Sequence, residues 1–255
     1  FPRMYSPDHA GEYERWIGKP IKNTKRALYP EIRKQQNKPL EIKVPTQIDN
    51  LRFFINYQVN HMYWRYFMWN FVGRQNDIQN NYAEKEYGNW ITGIPVIDNM
   101  RLGDQSKLPE SIKENKGRNV FFALPLILGV IGIAWQLLNG RKGKQQFWIV
   151  FMLFFMTGLA IVLYLNQTPL QPRERDYAYA GSFYAFAIWI GMGVAGITQY
   201  LQKWTKKEST ALNAAVSAIC LMVPLQMVSQ TWDDHDRSGR YACRDFGQNY
   251  LNTLP

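Results

Sequence analysis

The chain has 255 residues, 30 of them Lys or Arg and 20 Asp or Glu, for a net charge of +10. An aromatic content of 15% with only 18 Gly and 13 Pro excludes low-complexity disorder and collagen-like repeats. The charge is unevenly placed: residues 1–118 mix basic and acidic groups, whereas four long tracts after Arg118 carry neither, so the two halves differ in kind.

The chain begins at Phe1 without a signal-peptide pattern, which reads as a piece of a longer polypeptide. Two cysteines are too few for a disulfide framework, and Cys220 and Cys243 lie at different expected depths. In residues 1–46, Pro2, Pro7, Pro20, Pro30, Pro39 and Pro45 block long helices and central strands, so extended loop with short helical turns is expected there. His9 has no partner pattern and reads as a surface side chain.

From Thr46, a candidate N-cap, to Gly73, a candidate C-terminal stop, the spacing of Ile48, Leu51, Ile55, Val59, Met62, Tyr66 and Trp69 predicts one helix over 46–73. It is rich in aromatic residues yet carries Arg52, His61 and Arg65. Such a helix is expected along the outer membrane–water interface, or packed on the spans there. Two readings are open for His61 and Arg65, one turn apart: a polar stripe facing headgroups, or a substrate-facing pair beside the membrane. Residues 75–118 read as polar loop.

Four uncharged tracts predict membrane spans at about 119–139, 146–166, 180–202 and 210–231, because roughly 20 helical residues cross a bilayer core. They are apolar around the whole helical circumference, as lipid requires and a soluble bundle does not. Pro125 and Pro224 would kink two spans, and Gly191, Gly193, Ala195 and Gly196 would let a neighbour approach the third closely. Arg141, Lys142 and Lys144 follow the first span, and Lys203, Lys206 and Lys207 follow the third, which places those loops in the cytoplasm and both chain ends outside it. The division is therefore an extracytoplasmic region (1–118), a four-span region (119–232) and the start of a further extracytoplasmic region (233–255). With six basic residues explained as topology signals and no nucleic-acid-binding signature, nucleic acid is not an expected partner.

Between the second and third spans, Arg173, Glu174, Arg175 and Asp176 form a dense charge cluster at the membrane face. Two arginines can offer planar, multi-donor recognition of a lipid phosphate; the alternative is a salt-bridge cluster in which the acids neutralise them. Past the fourth span, Asp233, Asp234, His235 and Asp236 suggest an acidic cap at a helix start rather than a metal site, since four adjacent residues cannot converge on one ion. Arg237, Arg240 and Arg244 are expected along the helix that follows.

Several strings together, FPRMYS, NHMYWRYFMWNFVGRQND, TPLQPRERDYAYAGSFYAFAIWIGMG and WDDHDRSGRYACRDFGQNYLN, resemble a family of large bacterial inner-membrane proteins known as a domain of unknown function, related to animal polytopic protein O-mannosyltransferases of the glycosyltransferase-C superfold. The resemblance covers nearly the whole chain. It implies an all-α membrane glycosyltransferase that passes a mannose-like sugar from a polyprenyl-phosphate carrier to Ser/Thr hydroxyls of acceptor proteins on the extracytoplasmic face. It implies no cofactor, and an upstream membrane region carrying the acidic catalytic loop, so no catalytic base is assigned within this chain. Under it, Arg173 and Arg175 bind the carrier phosphate and Asp176 orients them or touches the acceptor. Trp64, Arg65, Arg74 and Asp77 form an outer vestibule for donor and peptide. A transporter is disfavoured because the spans hold no ionisable group near the midplane; a membrane scaffold for an envelope complex stays open.

Overall fold

In a computed structural model of the chain, residues 3–27, 40–80, 84–170, 175–206, 209–236 and 238–253 are described. They form a mostly helical protein in two layers: residues 3–120 make a polar, aromatic-rich layer, and the apolar helices after it make a bundle on which that layer sits.

The first layer begins with a 3-10 turn, Pro7–His9, and helix α1, Ala10–Ile17, which stops at Gly18 in the left-handed region (φ 70°). Strands β1, Thr24–Ala27, and β2, Leu40–Lys43, pair antiparallel. The described part of residues 1–46 thus holds short helical turns, as expected, and a strand pair where extended loop was expected; Pro20 lies between α1 and β1 and Pro45 after β2, and Pro2, Pro30 and Pro39 lie outside the described residues. Helix α2, Gln47–Phe53, starts with a capping box in which Thr46 Oγ1 accepts from the Asp49 amide and the Asp49 carboxylate accepts from the Thr46 amide. The helical run continues as a π-helical segment, Phe54–Trp64, and ends in α3, Arg65–Phe71, just before Gly73. The π winding bonds the Arg65 amide to the Asn60 carbonyl, five residues back. On one face Phe53, Tyr57 and His61 stack in succession, with centroids 5.1 and 5.8 Å apart. Phe53, Tyr57 and Met62 join Met4, Tyr13, Ile17 and Ile21 in one buried cluster that fastens α1 to this run.

Residues 75–118 are ordered by side-chain amides. Asn76 Oδ1 accepts from the Ile78 and Gly88 amides, Asn80 Nδ2 donates to the Glu84 and Tyr87 carbonyls, and Asn89 Nδ2 donates to Gln75 Oε1. Helices α4, Pro95–Leu102, and α5, Glu110–Lys113, follow. Strand β3, Gly73–Arg74, then pairs with β4, Asn119–Val120. Gly73 adopts φ 144° between two backbones, where a Cβ would lie 2.6 Å from the Asn119 carbonyl oxygen and 2.7 Å from that of Ile91.

The bundle consists of α6, Leu124–Leu138; α7, Gly140–Thr157, which bends at Gly158 into α8, Leu159–Leu165; α9, Ala180–Thr205; and α10, Thr210–His235. Three apolar stretches, Gly140–Leu165, Asp176–Thr205 and Thr210–Asp233, are long enough to cross a membrane. The expected first span, 119–139, is shorter than read from composition. Its first residues are taken by β4 and by a left-handed pair, Phe122 and Ala123 (φ 54° and 55°), leaving 15 residues in α6, about 22 Å at ~1.5 Å per residue. Pro125 accordingly opens α6 and does not kink it, its missing N–H falling where no intrahelical partner exists. Pro224 does lie inside α10.

Helix α6 packs along α9 in parallel: Gly129 meets Phe186, Gly132 meets the Trp189 carbonyl, and Gly196 faces Trp135. Gly193 accommodates the Leu128 carbonyl, whereas Gly191 faces open space. Helix α7 runs the other way, Phe147 stacking on Trp189 (5.7 Å) near one end and Thr157 meeting Gly181 near the other. Arg141, Lys142, Lys144, Lys203 and Lys206 therefore gather at one end of the bundle, and the polar layer sits at the opposite end.

The layers are joined where Gly158 leaves room for Tyr63, which packs edge-on to Tyr179 (5.6 Å) beside buried Val162. Asn166 Oδ1 accepts from the Arg3 amide and Gln58 Nε2, and Tyr57 Oη donates to the Thr168 carbonyl. The chain leaving α8 is thereby fixed just before the charged loop.

Candidate functional site

At the junction of the two layers a cleft of about 480 Å³ lies between α3, the β3–β4 pair and the last turns of α10. Its walls are Tyr66, Trp69, Asn70, Phe121, Pro224, Met227, Val228 and Thr231, and Arg74, Asn119, Asp176 and His235 add polar groups. One side is thus an apolar helix surface and the rim carries a guanidinium, a carboxylate and an imidazole.

Each polar group is held by a recognisable local cause. Arg74 follows Gly73 on a strand, and its Nε donates to the Gly117 carbonyl at 2.6 Å. Its guanidinium lies 5.5 Å from the Trp69 ring centroid. Asp176 opens a 3-10 turn, Asp176–Tyr179, which leads into α9 and is anchored by fully buried Tyr179. The His235 ring sits on α10 with Nδ1 3.0 Å from the Thr231 carbonyl, so Nδ1 carries the proton in that contact. Trp69 Nε1 is buried in the wall without a hydrogen-bond partner among the described residues.

Arg65 lies behind this wall. It is 5% exposed; its Nε donates to the His61 carbonyl and its Nη1 to the Gly88 carbonyl, and its guanidinium packs 5.0 and 4.8 Å from the Tyr66 and Trp69 rings. Trp69 therefore receives cations from both Arg65 and Arg74, an arrangement that rigidifies the ring. His61 is 7% exposed, and burial, reinforced by the Arg65 charge, pushes its pKa down to about 2. The headgroup-facing stripe is overturned for both residues: α1, through Trp16, and the amide-ordered segment around Gly88 cover them, a long-range burial that helical spacing does not encode. Neither residue lines the cleft.

Of the other expected site residues, Arg74 and Asp176 come together in the cleft wall. Trp64 is exposed and stacks on Phe67 (5.3 Å), outside the cleft. Asp77 accepts from Asn115 Nδ2 at 2.9 Å on the 115–117 bend whose Gly117 anchors Arg74, so it acts at one remove. Arg175 is exposed and precedes the Asp176 turn. Arg173 and Glu174 lie outside the described residues, as does Arg237.

The reading of residues 233–236 changes. Helix α10 runs through to His235, which puts Asp233 at its C-terminal end and not at a helix start. Among the described residues no group of three His, Cys, Asp or Glu side chains is arranged to hold a metal ion. The next helix, α11, is Ala242–Asn252, so Arg240 precedes it and Arg244 lies within it. Sequence reasoning missed His235 as a cleft residue, and with it Gln226 and Gln230, which seat α10: Gln226 Nε2 donates to the Val120 carbonyl and the Val120 amide donates to Gln230 Oε1, both at 3.1 Å. The available signal was the four-residue spacing of Gln226, Gln230 and the adjacent Thr231/His235 on an otherwise apolar helix.

A family model described as a family of unknown function (DUF8416) matches residues 1–55, the segment that builds α1, the β1–β2 pair and α2. No curated protein and no solved structure matches the chain.

Proposed function

We propose that this chain is part of a multi-pass membrane glycosyltransferase that passes a mannose-like sugar from a polyprenyl-phosphate carrier to Ser/Thr hydroxyls of acceptor proteins. The observation that carries the reading is the cleft's two-sided chemistry. An isoprenoid phosphate is an apolar chain ending in an anion, and the cleft pairs an apolar wall (Pro224, Met227, Val228) with a rim guanidinium from Arg74. Helix α10 exposes Ile219, Met222 and Leu225 on its remaining surface, the composition of a lipid-facing path toward that wall. The sequence resemblance supplies the reaction.

In this proposal α6 to α10 provide four spans in a bacterial inner membrane, the lysine-rich end faces the cytoplasm, and the cleft and both ends of the chain face the opposite side. As the glycosidic bond breaks, the carrier phosphate gains negative charge. Arg74, with Arg173 and Arg175 from the adjoining loop, would stabilise that charge where it develops. Asp176 orients the guanidinium groups or contacts the acceptor, and the base that activates the hydroxyl comes from outside this chain.

The test is sugar transfer by the full-length protein carrying Arg74→Ala, Arg173→Ala or Arg175→Ala. Loss of one transition-state donor corresponds to roughly a 100-fold fall in turnover with membrane insertion retained. Normal transfer in all three variants refutes the reading, and an unchanged glycan mass on envelope proteins after deletion of the gene assigns the protein to a scaffold.

A further inference from the structure

The opposite end of the bundle holds a second and larger cleft, about 720 Å³, between the last turns of α6 and α9. It is lined by Trp135, Asn139, Gln199, Tyr200, Lys203 and Lys206, among others. We propose that it is a binding site for the phosphate-bearing headgroup of an anionic membrane phospholipid, separate from the donor cleft. The inference does not depend on the glycosyltransferase reading.

Three observations carry it. The first is charge: Lys203 and Lys206 line the cleft itself, Arg141, Lys142 and Lys144 start α7 just beyond Asn139, and among the described residues no carboxylate lines the cleft. The second is shape: Gly196 sits at the base, where a Cβ would lie 3.0 Å from Trp135, so a larger residue would close the space between the helices. The third is composition. Trp135 Nε1 donates to Gln199 Oε1 at 2.5 Å, which turns the amide of Gln199 toward a donor role, and Asn139 adds a second amide at the rim. Tyr200, with Trp204 one turn further on, supplies exposed aromatic rings of the kind found at headgroup depth. Ammonium groups, amide N–H donors and interfacial aromatics at the end of apolar helices match a lipid phosphate with its glycerol. Dispersed surface lysines would attract the same lipids without a cleft, so the experiment separates the two cases.

The full-length protein is purified in neutral detergent and its thermal midpoint is followed as phosphatidylglycerol or phosphatidylcholine is added in mixed micelles. Phosphatidylglycerol should raise the midpoint saturably and phosphatidylcholine should not. The double variant Lys203→Gln/Lys206→Gln should weaken the phosphatidylglycerol response roughly 10- to 30-fold in half-saturating concentration. Lys142→Gln/Lys144→Gln, which removes the same charge outside the cleft, should leave it within about threefold of the unaltered protein. Glycerol 3-phosphate in solution carries the same phosphate without acyl chains and should fail to stabilise at matched concentration. Equal losses in the two double variants, equal stabilisation by phosphatidylcholine, or full stabilisation by glycerol 3-phosphate would each overturn the proposal.

Discussion

Replacing His61 tests the burial that separates this structure from a headgroup-facing helix. The ring stacks on Tyr57 (5.8 Å), lies 4.7 Å from the Trp16 ring, and has the Arg65 cation one turn away. Burial first, and the Arg65 charge second, push its pKa from 6.5 down to about 2. A histidine held neutral in the fold binds fewer protons folded than unfolded. Its contribution is therefore intact above about pH 6.5 and falls as pH drops below that value, until the folded group itself titrates near pH 2. At pH 5 the loss relative to pH 7.5 is about 2 kcal/mol. That figure is set by the unfolded pKa near 6.5 and requires only that the folded pKa lie below 5. For a chain of this size it corresponds to a thermal midpoint lower by roughly 4–8 °C. The variant His61→Gln carries a constant packing penalty at every pH but lacks the titration. Its midpoint, followed by tryptophan fluorescence in detergent, should fall less between pH 7.5 and 5 than that of the unaltered protein, by that margin. Equal slopes for the two proteins would mean that the imidazole is protonated or hydrated in the fold, and the buried placement of the His61–Arg65 pair would be wrong.

Other expectations follow from the same packing. Burial alone would raise the Asp49 pKa, but the Lys19 ammonium at 2.5 Å and the two Thr46 donors outweigh it and hold it at about 2. Its contribution is present above about pH 4 and lost as pH falls toward 2, so Asp49→Asn should cost about 1–2 kcal/mol at neutral pH and flatten the acid limb of a stability profile below pH 4. Gly132→Ala and Gly193→Ala each put a Cβ onto a backbone carbonyl of the neighbouring helix, of Trp189 and Leu128 respectively. Each should destabilise by about 1–3 kcal/mol in thermal melts, while Gly191→Ala, facing open space, should be neutral or slightly stabilising. Gln230→Leu removes the acceptor of the Val120 amide. Hydrogen exchange at Val120 should speed up by roughly fivefold, the equivalent of about 1 kcal/mol, and an unchanged rate would show that α10 is seated by other contacts.

How far the sequence could be read depended on whether the deciding physics was local. The helical run over 46–73 was legible at both ends because its signals sit on adjacent residues: Thr46 and Asp49 form the capping box, and Gly73 takes a conformation that a side chain would obstruct. Its π winding was not, since the aromatic spacing fits a three-and-four pattern closely enough to hide an i→i+5 register. The apolar string from Val120 to Leu128 reads the same whether it starts a helix or closes a strand pair. Only the pairing of Gly73 with Val120, far away in sequence, sets the start of α6 at Leu124. The charge cluster before the third span pointed to Asp176 and the family resemblance to Arg74, and the fold brings the two to one cleft. His235 was obscured by ending the fourth apolar stretch at residue 231, which made the acids after it look like the start of a new helix.

The cleft between α3 and α10 owes its form to an imbalance in how its walls are held. The wall from α3 is rigid: Arg65 is buried behind Trp69 and fixed to two backbone carbonyls, and the aromatic cluster of Phe67, Phe71, Phe186 and Trp189 ties that wall into the bundle. Among its described residues α10 as a whole has one buried apolar residue, Val216, and is held by two glutamine contacts to Val120 and by Asn213 Oδ1, which accepts from Gln202 Nε2, each worth about 1 kcal/mol. Pro224 further removes a backbone donor inside that helix, leaving the Cys220 carbonyl without its α-helical partner. A cleft between a fixed aromatic wall and a weakly seated apolar helix can widen at low energetic cost by moving α10, which carries His235 with it and releases Val120, while Arg74 and Asp176 stay on the other elements. Under the proposed function this division of labour would serve a long apolar chain with an anionic end: Arg74 and Asp176 stay preorganised while the apolar wall adapts to the tail.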